Sequence, residues 1–164
     1  MKRWMILLAC GALAALTACS GQGGDFAQED LSLTVEGQTF DCDTNITQVI
    51  DALGEDYDYA EGMSCAYDGL DKTFSYSEAE FYTNPLEEGD TVTEIYTQDP
   101  SVTTSKGLAV GATREEVIAA YGQPDEDDGY TLIYCLSDEV GEPSLCFDLD
   151  GDQVMAIFLT RGLI

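Results

Sequence analysis

The chain has 164 residues, of which 32 are Asp or Glu, 6 are Lys or Arg and none is His, and its formal net charge is -26. So few basic residues cannot form the patch that nucleic acid or an anionic membrane surface selects for, and the lack of His excludes His-based catalysis and His metal sites. The hydrophobic fraction of 45% is typical of a folding chain, and the length suits one domain or two small lobes.

The first 18 residues read as a secretory signal. Two basic residues precede an apolar run from Trp4 to Leu16, and Gly-rich sequence follows too soon for a membrane-spanning helix. The run ends on Leu16-Thr17-Ala18-Cys19, which resembles the lipobox of bacterial lipoproteins. This resemblance implies a palmitate-type lipid anchor on Cys19 and a place on the extracytoplasmic face of the cell membrane. Residues 19–30 are predicted to be a flexible tether.

Two ten-residue segments, 45–54 and 113–122, align without a gap and predict two short helices. Each begins with a capping residue and ends on Gly, and Thr113 with Glu116 has the spacing of a capping box. Apolar residues recur at helical spacing in both segments: Val49, Ile50 and Leu53 in the first, and Val117, Ile118 and Tyr121 in the second.

Apolar or alternating runs around each helix predict strands. Leu31, Leu33 and Val35, followed by a Glu36-Gly37 turn, predict a hairpin before the first helix. The other predicted strands are residues 64–67, 73–76, 80–83 and 91–98 in the first half, and 130–136, 145–149 and 154–160 in the second. The segment Asp90–Tyr96 is similar to Asp152–Phe158, at a shift of 62 residues.

The predicted fold is α+β. It consists of two tandem repeats, each a short helix or helical hairpin packed on an antiparallel β-sheet. The first repeat spans residues 31–98 and the second spans residues 107–164, with residues 99–106 as the linker.

Four cysteines remain in the exported domain: Cys42, Cys65, Cys135 and Cys146. An even number outside the cytoplasm indicates two disulfides. Pairing Cys42 with Cys65, and Cys135 with Cys146, is preferred because each bond closes a short loop within one half; the other two connectivities stay open. The spacing lacks the pairs of a thiolate zinc site, and neither a metal nor a cofactor is predicted.

One segment, Ser64–Tyr76 (SCAYDGLDKTFSY), followed by Thr104–Gly111 (TSKGLAVG) and the second capped helix, resembles a family of uncharacterised lipoproteins of Gram-positive bacteria. The resemblance covers most of residues 31–160. The predicted tandem layout is also similar to that of β-lactamase inhibitor proteins and of small outer-membrane assembly lipoproteins. This second likeness is one of architecture alone, so no functional residue is carried over from it.

The chain has nine tyrosines, and a sheet face bearing Tyr57, Tyr59, Tyr76 and Tyr82 is the candidate partner surface. Tyrosine combines apolar area with a polar group and is over-represented at binding surfaces, although strands favour aromatic residues in any case. The chain is therefore expected to be a membrane-anchored, non-catalytic module that binds an envelope or secreted protein.

Two alternatives stay open: an inhibitor-like module against a secreted or envelope hydrolase, and a carboxylate-based cell-wall hydrolase. An enzyme needs a closed pocket with convergent carboxylates, whereas a binding module presents an open, tyrosine-bearing surface.

Overall fold

The computed structural model describes residues 25–162 except 87, 88 and 138. The predicted signal, the predicted lipid-attachment residue Cys19 and the first part of the predicted tether therefore lie outside the described residues. Along the part of the chain that is described, no helix has the length and apolar character needed to cross a bilayer.

The described chain begins with a 3₁₀ turn at Gln28–Asp30. The strands and helices that follow are β1 (Leu33–Val35), β2 (Gln38–Phe40), α1 (Ile46–Leu53), β3 (Asp58–Met63), β4 (Leu70–Ser75), β5 (Glu80–Leu86), β6 (Gly89–Thr97), β7 (Thr103–Thr104), α2 (Arg114–Tyr121), β8 (Glu126–Asp127), β9 (Thr131–Cys135), β10 (Pro143–Asp150) and β11 (Gln153–Arg161).

The predicted α+β class, with two helix-on-sheet repeats, is wrong. The structure is mostly β, at 45% strand and 14% helix, and each predicted helical segment forms a single helix of eight residues. The strands form two antiparallel sheets, one of eight strands in the order β3-β4-β5-β6-β11-β10-β9-β8 and one of three in the order β2-β1-β7.

The physical reason for this difference is that the two halves share one large sheet. β6, the last strand of the first half, pairs with β11, the last strand of the second half, in the middle of the sheet. Two separate sheets would leave an edge on each of these strands, with unpaired backbone N–H and C=O groups. The small sheet also joins the halves, because β7 lies in the segment predicted as a linker and pairs with β1.

The two helices begin and end where the sequence predicts. The Asn45 side chain accepts a hydrogen bond from the Thr47 N–H at the start of α1, and Thr113 with Glu116 forms a complete capping box on α2. The terminal glycines, Gly54 and Gly122, have φ of 89° and 83° but ψ of -171° and -162°. Both therefore have the positive φ that favours glycine, but their ψ is not that of a left-handed helical cap.

One face of the large sheet forms the core. Phe81, Phe147 and Ile157 are fully buried on it, and both helices and the small sheet cover it. Ring contacts join these layers: the centroids of Phe40 and Phe81 are 5.4 Å apart, and those of Tyr121 and Phe147 are 5.8 Å apart. Because these covering elements all pack on one face, the other face is left open.

The strand predictions place most strands correctly to within a few residues, but they miss β3 and the two-residue strands β7 and β8. Residues 64–67 form a loop, and the strand after α1 is β3, which precedes them. All six residues of β3 are exposed, so this strand lacks the apolar alternation by which half-buried strands are recognised.

A buried ion pair ties the segment before β1 to the second half of the molecule. Asp30 is 2% exposed, and its Oδ2 lies 3.1 Å from Lys106 Nζ. The carboxylate also accepts hydrogen bonds from Ser105 Oγ at 2.5 Å and from the Ala27 N–H at 3.0 Å. Lys106 Nζ lies 4.5 Å from the ring centroid of Tyr121.

Phe26 extends this contact, since its ring centroid lies 6.0 Å from that of Tyr121 and 5.7 Å from that of Tyr134. The described end of the predicted tether is therefore packed on the body.

Lys106→Met should lower the free energy of unfolding by about 3 kcal/mol, because it leaves the buried Asp30 carboxylate without its charge partner. Lys72→Met is the matched control. It removes the more exposed ion pair of Lys72 with Asp90, whose side chains are 26% and 25% exposed, and should cost less than about 1 kcal/mol. Denaturant unfolding of both variants beside the parent measures the two losses, and equal losses would contradict the role given to Asp30.

Candidate functional site

The open face of the large sheet carries the candidate site. Side chains alternate between the two faces along a strand, so the neighbours of the core residues on β5, β6, β10 and β11 point to the open side. Six of these neighbours form what we call the acidic aromatic face: Glu80, Tyr82, Glu94, Tyr96, Asp148 and Phe158.

Strand register aligns these side chains in rows across the sheet. Glu80 lies opposite Tyr96, and Tyr96 lies opposite Phe158. The ring centroids of Tyr96 and Phe158 are 6.4 Å apart. In the next row Tyr82 lies opposite Glu94. Glu80 therefore lies beside Tyr96 and Glu94 lies beside Tyr82, while the Tyr96 and Phe158 rings neighbour one another.

Each of the three carboxylates accepts a hydrogen bond from a hydroxyl of the same face. The donors are Tyr82 to Glu80, Thr160 to Glu94 at 2.8 Å, and Thr131 to Asp148 at 2.7 Å. These bonds orient the carboxylates while their other lone pairs stay available, so the acidic groups are held in place on a rigid sheet.

The carboxylates act together on the two phenols. Burial, with the charges of Asp148 and Glu80, raises the pKa of Tyr96. Burial, with the hydrogen bond and charge of Glu80, raises the pKa of Tyr82. Both phenols therefore stay neutral well above physiological pH, and the face has the negative charge of its carboxylates alone.

Within the described residues, no basic side chain offsets that charge. All four of the basic side chains there form ion pairs away from the face: Lys72 with Asp90, Lys106 with Asp30, Arg114 with Asp127, and Arg161 with Asp43. The acidic aromatic face is consequently a surface of uncompensated negative charge.

The face continues into an open depression of about 280 Å³ at the ends of β5 and β6. Glu78, Glu80, Tyr96 and Asp99 are among its lining residues. In the described ranges, no group of three or more Cys, Asp or Glu side chains is arranged to hold a metal ion.

Three of the four tyrosines predicted as a partner surface lie together, and Tyr82 lies apart from them. The ring centroids of Tyr57 and Tyr59 lie 5.1 and 5.3 Å from that of the core residue Phe74. The ring of Tyr76 lies next to that of Tyr57, with their centroids 5.4 Å apart. The Tyr76 hydroxyl donates to the Gly54 carbonyl at 2.9 Å. Tyr82 alone of the four belongs to the acidic aromatic face.

Sequence reasoning missed the other five members of this face. A signal for two of them was present, because the 62-residue shift that aligns the last strands of the halves matches Tyr96 with Phe158. These two residues lie directly opposite one another in the structure. Strand alternation would then have placed Glu94 on the same side as Tyr96.

The described structure contains no disulfide. Cys65 is exposed, whereas Cys42 is buried and its thiol lies 3.4 Å from the Thr93 carbonyl oxygen. Burial raises the pKa of Cys42 to about 12. The predicted bond from Cys42 to Cys65 stays a prediction.

Cys135 and Cys146 do not lie directly opposite one another on β9 and β10. Cys135 is opposite Ser144, and Cys146 is opposite Ile133, so the two cysteines are diagonal neighbours on one face. Diagonal pairs are about 7–8 Å apart, slightly beyond the usual Cα separation of a disulfide. A bond between them needs a small approach of β9 and β10, and it too stays a prediction.

Mass mapping of non-reduced peptides from the exported protein tests both bonds. We expect one peptide that joins Cys42 to Cys65 and another that joins Cys135 to Cys146, with each bond closing a loop within one half. Recovery of a peptide that joins Cys65 to Cys135 would overturn this pairing.

Comparisons with protein-family models, with curated proteins and with solved structures give no match. The resemblance to Gram-positive lipoproteins therefore stays a prediction, and functional inference rests on the geometry of the chain itself.

Proposed function

We propose that the chain is a lipid-anchored extracytoplasmic protein that binds a basic envelope or secreted protein through its acidic aromatic face, without catalysis. The observation that carries this proposal is the grouping of three carboxylates and three aromatic rings on one open sheet face. No basic side chain of the described residues shares that face.

The chemistry of the face selects a partner rich in Lys and Arg. Uncompensated carboxylates attract cationic surfaces and raise the rate of encounter. Once docked, a guanidinium or ammonium group can lie over the ring of Tyr96 or Phe158 while it contacts Glu80 or Asp148. Because the side chains stand on paired strands, little conformational entropy is lost on binding.

The same features favour binding over the alternative of a carboxylate-based hydrolase. Such an enzyme places two carboxyl groups in unlike environments within a pocket that encloses the substrate. Here Glu80, Glu94 and Asp148 lie on an open surface in similar settings, and each accepts a hydroxyl hydrogen bond.

The anchoring part of the proposal rests on the lipobox-like sequence that ends at Cys19 and on the overall charge. With 32 acidic residues in the chain, the domain should be repelled by anionic lipid, so it needs the acyl chains to stay at the membrane.

Cys19→Ala should release the exported chain from membranes once the signal of residues 1–18 is removed, because the acidic domain that remains is repelled by anionic lipid. Sedimentation of the cell envelope after a salt wash, followed by detection of the chain in each fraction, measures the release. A variant that still sediments with membranes would refute the lipid anchor.

Neutralising the face should abolish partner capture. In the double variant Glu94→Gln, Asp148→Asn the hydrogen bonds of Thr160 and Thr131 can persist, but two negative charges are lost. The matched control, Asp51→Asn with Glu115→Gln, removes two exposed charges from the outer sides of the helices. Affinity capture from detergent-solubilised envelope, with quantitative mass spectrometry, compares the two variants with the parent.

We expect the face variant to reduce recovery of a basic protein about tenfold or more, and the control to leave recovery unchanged. If both variants capture the same proteins in the same amounts as the parent, the acidic aromatic face is not the binding surface. The identity of the captured protein also tests the inhibitor alternative, which requires a hydrolase whose activity falls on binding.

A further inference from the structure

The outer edge of β3 is a second surface of the molecule, separate from the acidic aromatic face. β3 is the first strand of the large sheet and pairs on one side with β4, and no other described strand pairs with it. All six of its residues are exposed. The opposite edge of the sheet, β8, is only two residues long.

Ladder geometry identifies which backbone groups of β3 face outward. The Ser64 N–H donates to the Gly69 carbonyl at 3.1 Å, at the end of the β3–β4 ladder. Hydrogen-bonded pairs alternate along an antiparallel ladder, so every second residue of β3 counted from Ser64 bonds to β4. The intervening residues, Tyr59, Glu61 and Met63, therefore direct their N–H and C=O groups away from the sheet.

The side chains of these three residues lie on the same side of β3. Tyr59 is 49% exposed and Met63 is 79% exposed, and Glu61 lies between them. The Tyr59 hydroxyl donates to the Glu61 carboxylate. The edge thus offers three outward backbone positions and an apolar–acidic–apolar row of side chains.

We propose that β3 receives an extended basic segment of a partner protein as a ninth strand of the sheet. The backbone of the incoming strand pairs with Tyr59, Glu61 and Met63, which is the usual mode of strand addition to a sheet edge. A Lys or Arg of that strand lies beside Glu61, and apolar side chains lie beside Tyr59 and Met63.

Charge favours this occupant over a second copy of the chain. Two β3 edges paired antiparallel about their centre would place Glu61 of one copy opposite Glu61 of the other. Like charges on neighbouring strands are destabilising, and each chain has a net charge of -26. Acidic residues on an edge strand hinder self-pairing in this way while they attract a basic strand.

The test uses the full chain in detergent and a labelled, end-blocked heptapeptide, Thr-Val-Thr-Lys-Thr-Val-Thr. Two matched peptides accompany it, one with Glu in place of Lys and one with the Val and Lys backbone nitrogens methylated. Fluorescence anisotropy measures binding, and hydrogen exchange measures protection of the Tyr59, Glu61 and Met63 amides.

The Lys peptide should bind and slow exchange at these three amides. The Glu peptide and the methylated peptide should each bind at least tenfold more weakly, since one has the wrong charge and the other cannot form the backbone ladder. A Lys peptide that fails to bind, or a methylated peptide that binds equally well, would overturn the proposal. Protection of the same amides without peptide, together with dimerisation, would assign the edge to a second copy instead.

Glu61→Pro tests the proposal with a change in the protein instead of the peptide. Proline removes an outward N–H and no hydrogen bond to β4, so the strand should still form at this edge position. Peptide binding should fall at least tenfold, whereas Glu61→Gln keeps the N–H and should lose severalfold only. Thermal unfolding confirms that both variants are folded, and unchanged binding by a folded Glu61→Pro would contradict strand addition.

Discussion

Four residue pairs between β6 and β11 join the two halves of the molecule into one sheet. On the covered side of this seam, Ile95 lies opposite Leu159, and both are fully buried. On the open side, Tyr96 lies opposite Phe158. Because side chains alternate strictly, a slip of one residue would turn the buried pair to solvent and the aromatic pair into the core. The core and the acidic aromatic face are thus fixed by the same register.

This seam explains why the two faces differ so strongly. Both helices and the small sheet cover the side where the apolar residues meet, and the buried Asp30–Lys106 pair closes one end of that layer. The opposite side carries Glu94 and Asp148, which would be costly to bury without a cation. Leaving that side open keeps the carboxylates in water and makes their charge available to a partner.

Local features of this fold could be predicted from the sequence, and long-range pairing could not. The N-terminal caps of both helices are confirmed, as is the hairpin at Glu36-Gly37, where both residues have positive φ. The predicted fold class was wrong because local sequence patterns do not indicate that β6 pairs with β11. The site residues could not be predicted for a related reason. Tyr82 and Phe81 are adjacent but face opposite sides of the sheet, so tyrosine content alone could not identify the exposed face.

Photocrosslinking in intact envelopes tests directly whether the open side of the β6–β11 seam contacts a basic partner. A photoreactive benzoylphenylalanine replaces Phe158 in one strain and the exposed Ala119 of α2, on the opposite side of the sheet, in another. The probe at position 158 should crosslink one basic protein, and the probe at position 119 should not. Crosslinking of that protein from position 119 alone, or no crosslink from position 158, would contradict this contact.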